Sequence, residues 1–288
     1  MREDFAVFIC THGRPDKQLT LNTLLKCGYT GKWYLIVDDT DNTIQQYIDN
    51  YGKEHIIVFN KNYYINSDRY DNGDNKLHEK CVVYAKRAAE DIAVKLNIGV
   101  FLLADDDVTK LTLRLPVIDK LLRLSITNID TVFEWYSEWI ISGNICCLGV
   151  GTPVNYFLGK NAFSSKNLCA STRPLPYNFT FRNTAFHVNW LSWFAEDTIT
   201  LYQSGELGNI WLVDLHLMFE CMPIGDTSIE GGMSDIYRVN DSFSLQFNAV
   251  KYCPQRIALH PYHKNGKMLF KRNNDISFPK IISGRYKK

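Results

Sequence analysis

Continuous apolar runs alternate with helix-like stretches in the first third of the chain. Four runs have the length and composition of strands buried on both faces, at 5–10, 33–37, 55–59 and 99–103. Between them, apolar residues recur at helical spacing over 17–26, 44–51 and 76–96, with a polar loop at 60–74. Strands separated by helices imply right-handed crossovers, so the pattern predicts an α/β fold with a mostly parallel sheet flanked by helices.

The pattern changes after about residue 115. Helices are predicted over 116–124, 132–141, 198–204 and 243–252, and a strand over 146–150. Residues 155–189 favour loops and short antiparallel strands, whereas 210–220 fits either a helix or a strand. No linker divides the chain. We therefore expect one compact domain made of two halves, 1–114 and 115–288, with a smaller mixed lobe and a basic tail in the second half.

The composition is that of a folded globular protein. Of the 288 residues, 45% are hydrophobic and 22% charged, and the net charge is +1, which argues against disorder and coiled coil. The longest uncharged stretch, 139–159, is interrupted by Gly, Asn and Pro, so no membrane-spanning segment is predicted. The N-terminus lacks a signal-peptide pattern, and the eight scattered cysteines form no Cys-x-x-Cys pair. We therefore expect a cytoplasmic protein with reduced thiols.

Polar clusters follow three predicted strands, at 11–14, 38–41 and 105–107. Ligands of parallel sheets bind beyond the carboxyl ends of the strands, where these clusters lie. Asp105, Asp106 and Asp107 would repel one another unless a cation compensates them. Asp105 and Asp107 point the same way from an extended chain, so they could hold Mg²⁺ or Mn²⁺ with substrate phosphates. The alternative is a solvated acidic turn that caps a helix near Thr109.

Other charged residues along this edge suit a nucleotide. Asp38 and Asp39 could hydrogen-bond a base or ribose, or could form an Asx turn. Arg14 and Arg87 could contact a diphosphate, although a solvated helix position is the default for Arg87.

Candidate groups in the second half are sparser. Glu196 and Asp197 follow an aromatic run that could raise their pKa towards that of a general base, or they could cap a helix. His260 and His263 form a weak metal signal, with a surface turn as the alternative.

In their order and spacing, these segments resemble the nucleotide-sugar glycosyltransferases of the GT-A type. The matching segments are the opening strand and turn (8–15), the second strand with its aspartates (34–41), the Ala-Lys-Arg-Ala helix (85–89) and the Asp-x-Asp strand (101–107). Ala88 departs from the family pattern, which has Asn there. Later in the chain only Glu196-Asp197 and His260 match, each through a short motif.

The resemblance implies a GT-A fold, in which the first half binds the donor and the second half binds the acceptor. It implies a nucleotide-diphosphate sugar, with UDP as the expected nucleotide, and Mn²⁺ or Mg²⁺ bound by Asp105, Asp107 and His260. Asp197 would be the base that activates the acceptor, with Glu196 beside it. The remaining expected donor contacts are Thr11, His12, Arg14, Asp38, Asp39, Arg87, Asp105 and Asp106.

For the acceptor, the chain most resembles small phage glycosyltransferases, the TET-associated group, which modify hydroxymethylated pyrimidines in DNA. From residue 264 the tail has eight cations and one acid, which could lie on phosphates or could form a frayed terminus. Five aromatic residues could stack an extruded base or could belong to the core: Phe179, Phe181, Phe186, Trp190 and Trp193.

Three alternatives stay open: a glycan, lipid or protein acceptor; a nucleotide-binding module without transfer activity; and a nucleotidyltransferase. A nucleotidyltransferase would normally have a Gly-rich first loop, and residues 11–15 are poor in Gly. The sugar, the stereochemical outcome and the oligomeric state do not follow from the sequence.

Overall fold

A nine-stranded sheet forms the centre of the protein in a computed structural model that describes residues 1–66, 81–118, 120–157, 178–222, 242–264 and 266–274. Its strands are β1 (Phe5–Cys10), β2 (Lys32–Asp38), β3 (Ile56–Phe59), β4 (Val100–Asp105), β5 (Val108–Val117), β6 (Lys120–Leu124), β7 (Cys147–Gly151), β8 (Phe179–Asn183) and β9 (Trp211–Cys221). The helices are α1 (Leu19–Lys26), α2 (Ile44–Tyr51), α3 (Lys61–Ile65), α4 (Val83–Lys95), α5 (Ile129–Ser142), α6 (Glu196–Glu206) and α7 (Ser242–Tyr252).

The strand order is β3-β2-β1-β4-β8-β7-β9-β5-β6, and the first four strands are parallel. From the pairings, β8 and β5 run against the other seven strands. The predicted α/β class and its mostly parallel sheet are confirmed. Both halves of the chain contribute to this one sheet, since β5 spans the expected boundary at 114.

Helices cover both faces of the sheet, which explains the continuous apolar runs of β1 and β4. Along β1, Phe5, Val7 and Ile9 face a core cluster that includes residues of α1 and α5. Ala6 and Phe8 face the opposite cluster, built from α4, α6 and α7. Every β1 residue is buried, so neither face of this strand could be polar.

The structure corrects the helix predicted over 116–124 and the alternative of a helix near Thr109. Residues 116–124 contribute to the β5–β6 hairpin, and Thr109 lies within β5 rather than at a helix start. Leu111 and Leu113 alternate inward along β5 and pair with Phe219 and Leu217 of β9, so strand pairing overrides the helical pattern. The undecided segment 210–220 is strand β9.

The other helices and strands predicted within the described residues are confirmed with small shifts of their ends, whereas 158–177 of the predicted loop region and 275–288 of the basic tail lie outside the described residues. The long helix over 76–96 is described from Val83 onward as α4, and its first residues lie outside the described part. The short helix α3 lies within the expected polar loop.

A separate antiparallel hairpin, β10 (Ile257–Lys264) and β11 (Lys267–Asn274), packs on α7. Among the described residues, none of the helices has the length and apolar character needed to cross a bilayer. The cysteines in the described part, which excludes Cys169, form no disulfide.

Candidate active site

The order in which successive strands are added to the sheet reverses between β1 and β4, which makes this position a topological switch point. The chain proceeds outward through β2 and β3, then returns to place β4 on the other side of β1. Such a switch point opens a crevice at the carboxyl ends of the two central strands. The turn after β1 and the three aspartates at the end of β4 flank this crevice.

Gly13 shapes the turn after β1. Its φ of +67° is a left-handed conformation that favours glycine, and its backbone N–H donates to Asp41 Oδ2 at 2.7 Å. The Arg14 N–H donates to the Tyr47 hydroxyl at 2.8 Å. These bonds fix the turn against α2 and the loop that follows β2.

Asp38, at the end of β2, lies in a compensated polar network. Its carboxylate is 2.7 Å from His12 Nδ1 and 3.3 Å from Lys61 Nζ, and it accepts a bond from Thr40. Burial alone would raise the pKa of Asp38, but these partners outweigh it and hold the pKa below its ordinary value. Asp39 is exposed and accepts the Lys61 N–H at 3.0 Å.

Asp106 faces the turn after β1. Its carboxylate accepts a bond from Thr11 Oγ1 at 2.6 Å and from Arg14 Nη1 at 2.8 Å. Burial raises the pKa of Asp106, and the charge of Arg14 opposes that shift. Thr11, Arg14 and Asp106 therefore brace the β1 turn against β4, while their expected contacts with a donor stay predictions.

Asp105 faces the other side of the sheet, where Lys86 of α4 lies. Burial raises the pKa of Asp105 to about 7, and the charges of Asp107, Asp106 and Glu196 add to this, whereas Lys86 opposes it. Lys86 is buried, and its Nζ is 2.7 Å from Glu196 Oε1 and 5.0 Å from the centre of the Trp190 ring. Lys86 thus connects the acidic end of β4 to the start of α6.

Asp107 keeps coordinating capacity. Its Oδ1 is buried and has no hydrogen-bond partner among the described residues. Burial raises the pKa of Asp107, although the Cys221 thiol and the Arg14 charge oppose that shift. An orphaned buried carboxylate oxygen beside a second carboxylate suits a hard divalent cation. Asp105 and Asp107 therefore fit the expected metal. The described residues contain no cluster of three or more His, Cys, Asp or Glu side chains arranged for a metal.

Glu196 and Asp197 form the first turn of α6. Ala195, which precedes them, adopts a left-handed φ of 59°, a strained conformation for a residue with a Cβ. Burial raises the pKa of Asp197, as does Glu196, against the opposing charges of Lys86 and Arg272. The pair lies in the first turn of α6 and does not cap it, since the N-cap is Ala195; the raised pKa of Asp197 is compatible with the predicted base, which stays a prediction.

Arg87 and His260 lie apart from these groups. Arg87 is fully buried and donates to the backbone carbonyls of Trp190 (2.7 Å) and Tyr64 (3.1 Å), which is a structural placement. His260 is exposed on β10 and pairs with Lys271 across the hairpin. Arg87 was expected to contact the diphosphate and His260 to bind the metal. Both roles stay predictions, and these positions do not favour them.

The aromatic residues proposed to stack a base belong to the core. Each has at most 4% exposure, so a flipped base could not reach their faces: Phe179, Phe181, Phe186, Trp190 and Trp193. The reading as an ordinary core is the right one.

Two cations that sequence reasoning did not single out lie at this site, Lys86 and Arg272. Lys86 precedes Arg87 in the helix matched to the family, which was the only available signal. Arg272 comes from β11, where its guanidinium is 3.5 Å from Thr198 Oγ1 and 5.9 Å from the Phe194 ring centre. The contacts of Lys86 with Glu196 and of Arg272 with Thr198 join segments that are far apart in sequence, so the sequence alone does not reveal them.

The parallel sheet with a carboxylate-rich crevice at its switch point defines an α/β enzyme of the nucleotide-binding kind. A family model described as TET-Associated Glycosyltransferase matches residues 5–217, and the chain belongs to this family. The protein is therefore a glycosyltransferase.

Two solved structures show distant similarity. A mycobacterial protein is 10% identical with a TM-score of 0.42, over 94% of this chain and 83% of that one. GalNAc-T7, determined with UDP, GalNAc and Mn²⁺, is 11% identical with a TM-score of 0.46, over 87% of this chain and 47% of that one. No curated protein matches the sequence.

Proposed function

We propose that this glycosyltransferase has a GT-A mechanism and moves a sugar from a nucleotide diphosphate to the hydroxyl of a 5-hydroxymethylated pyrimidine in DNA. The observation that carries the proposal is the gathering of Asp105, Glu196 and Asp197 around Lys86 beside the switch-point crevice. These three carboxylates face two cations, Lys86 and Arg272, and Asp107 lies beside Asp105, where the charge of Arg14 also acts on it.

On the donor side, Asp105 and Asp107 would hold Mn²⁺ or Mg²⁺, which supplies charge neutralisation for a leaving diphosphate. Asp38 and His12 stand at the neighbouring strand end, where a base or ribose could bind. UDP is the nucleotide expected from the GT-A resemblance.

On the acceptor side, Asp197 would accept the proton of the attacking hydroxyl. The hydroxyl oxygen then bonds to the anomeric carbon while the bond from that carbon to the diphosphate breaks. A carboxylate with a raised pKa in a half-buried position suits this role, because it takes the proton more readily than a solvated one. Glu196 is held by Lys86 and would keep the start of α6 in place.

The acceptor is tested with the full chain, Mn²⁺, a panel of nucleotide sugars and a duplex containing 5-hydroxymethylcytosine. We expect glycosylated nucleosides by mass spectrometry after digestion, none with a cytosine duplex and none after EDTA treatment. Transfer to glycan, lipid or protein acceptors with none to DNA would contradict the acceptor. The absence of both donor hydrolysis and transfer would contradict the mechanism.

A further inference from the structure

The two faces of the β10–β11 hairpin have different chemistry. Residues paired across an antiparallel ladder project to the same face, and successive pairs alternate between faces. One face contains the pairs Leu259–Arg272 and Pro261–Phe270, and is called the inner face. The other contains His260–Lys271, Tyr262–Leu269 and Lys264–Lys267, and is called the outer face.

The inner face attaches the hairpin to the catalytic half. Phe270 meets Phe243 of α7 edge-to-face at 5.1 Å, and its backbone N–H donates to Ser242 Oγ at 2.9 Å. Arg272 reaches Thr198, the residue after Asp197. Phe270 and Arg272 on the inner face are therefore engaged in contacts within the protein, whereas the pair His263–Met268 near the turn is exposed.

The outer face is exposed and cationic. Lys264, Lys267 and Lys271 are exposed, and within the described residues none of them forms an ion pair with an acid. Tyr262, 37% exposed, stands between these lysines and adds a flat aromatic surface. No acidic residue belongs to the described strands of the hairpin, so its outer face complements a polyanion.

We propose that the outer face of the β10–β11 hairpin binds the phosphate backbone of duplex DNA, with the hairpin in the major groove. This inference rests on the proposed DNA acceptor. The major groove is about 12 Å wide and admits a two-stranded ribbon. The C5 substituent of a pyrimidine projects into that groove, as the methyl group of thymine does. Arg272 and the start of α6 lie behind the hairpin, on its inner face, so the modified pyrimidine has to be extruded from the duplex to reach them.

The test measures binding of the full chain to a fluorescent duplex that contains 5-hydroxymethylcytosine, over a series of salt concentrations. The variant Lys264→Gln/Lys267→Gln/Lys271→Gln should bind at least about tenfold more weakly, with a log–log salt slope shallower by about three. Donor hydrolysis and transfer to free 5-hydroxymethyldeoxycytidine should stay within about twofold of the parent, because the inner face is unchanged. The matched control, Lys26→Gln/Lys53→Gln/Lys95→Gln, removes three exposed charges elsewhere and should bind as the parent does.

The outcomes separate this inference from the proposed function. An unchanged salt slope in the hairpin variant, with an unchanged melting temperature, would overturn the inference. A parent that glycosylates the free nucleoside but does not bind the duplex would overturn it too, and would leave the transferase chemistry standing. If duplex binding depended on the three lysines but no hydroxymethylated acceptor received a sugar, the DNA-binding role of the outer face would be supported and the proposed hydroxymethylpyrimidine acceptor would be refuted. Binding to phosphatidylserine vesicles in preference to the duplex would assign the face to a membrane instead.

Discussion

The crevice has two walls, which differ in how far protein cations neutralise their carboxylates. On the β1–β2 wall, Asp38 lies between His12 and Lys61, and Asp106 lies against Arg14. The β4–α6 wall sets three carboxylates around Lys86, namely Asp105, Glu196 and Asp197, with Arg272 near Asp197 and Asp107 beside Asp105. The first wall is neutralised by the protein, whereas the second keeps negative charge for a ligand or a proton.

The pKa shifts express the same difference. The pKa of Asp38 is held below its ordinary value because donors and a cation outweigh burial, whereas burial raises that of Asp105 to about 7. Asp38 and Asp105, at the ends of the two strands that flank β1, thus differ in their readiness to take up a proton or a cation. Changes on the β4–α6 wall should therefore affect the chemical step, and changes on the β1–β2 wall should mainly affect stability and nucleotide binding.

The largest effect is expected at Asp197. Asp197→Asn removes the proton acceptor but keeps the shape of the side chain, so kcat should fall about 10²–10⁴-fold while affinity for the nucleoside diphosphate is retained. Rapid-quench kinetics and calorimetric titration of the nucleotide measure the two separately. Full activity in this variant would exclude Asp197 as the base.

Asp107→Asn comes next. The variant removes a carboxylate oxygen that has no hydrogen-bond partner in the described residues and could bind the metal. The loss of several kcal/mol of transition-state stabilisation should lower the metal-dependent turnover about a thousandfold. The concentration of Mn²⁺ needed for half-maximal rate should rise as well. An unchanged Mn²⁺ dependence would place the metal elsewhere.

The contrast between the walls also shows what the sequence could reveal. The strand ends with Asp38 and Asp105 follow apolar runs that only a doubly covered sheet explains, so their convergence was predictable. The position of Lys86 in the site was not predictable, because its partner Glu196 is 110 residues away and only the folded chain brings the two together. The β5–β6 hairpin was missed for a similar reason, since β9 decides its conformation.

Lys86→Met tests the bridge within the β4–α6 wall. It leaves Glu196 buried without its cation, so the free energy of unfolding should fall by about 3–5 kcal/mol in denaturant titration. Lys95→Met, at the exposed end of the same helix, is the control and should change stability little. The variant Lys86→Met/Glu196→Leu should recover part of the stability without recovering activity. If Lys86→Met were as stable as the control Lys95→Met, the Lys86–Glu196 ion pair would not be needed for stability.

The raised pKa of Asp105 makes a pH prediction with a definite sign. Its unfolded value is near 3.8 and its folded value is about 7, so the folded protein holds the extra proton in between. Stability without metal should therefore fall as pH rises from about 4 to 7, while stabilisation by Mn²⁺ should grow as the ligand deprotonates. Melting curves from pH 5 to 8, with and without Mn²⁺, measure both trends. Asp105→Asn should flatten them, and an unaltered pH dependence in that variant would assign the proton to another group.

The smallest effect on chemistry is expected at Asp106, the immediate neighbour of Asp107. Asp106→Asn weakens the bonds to Thr11 and Arg14, so it should cost about 1–3 kcal/mol of stability. Turnover should fall by less than about tenfold, because this carboxylate faces the turn after β1 and is already paired. Asp107→Asn is the matched control: the same substitution, one residue along, on the other wall. If Asp106→Asn lost as much turnover as Asp107→Asn and bound the nucleotide more weakly, Asp106 would be a donor contact and its role as a brace for the turn after β1 would be wrong.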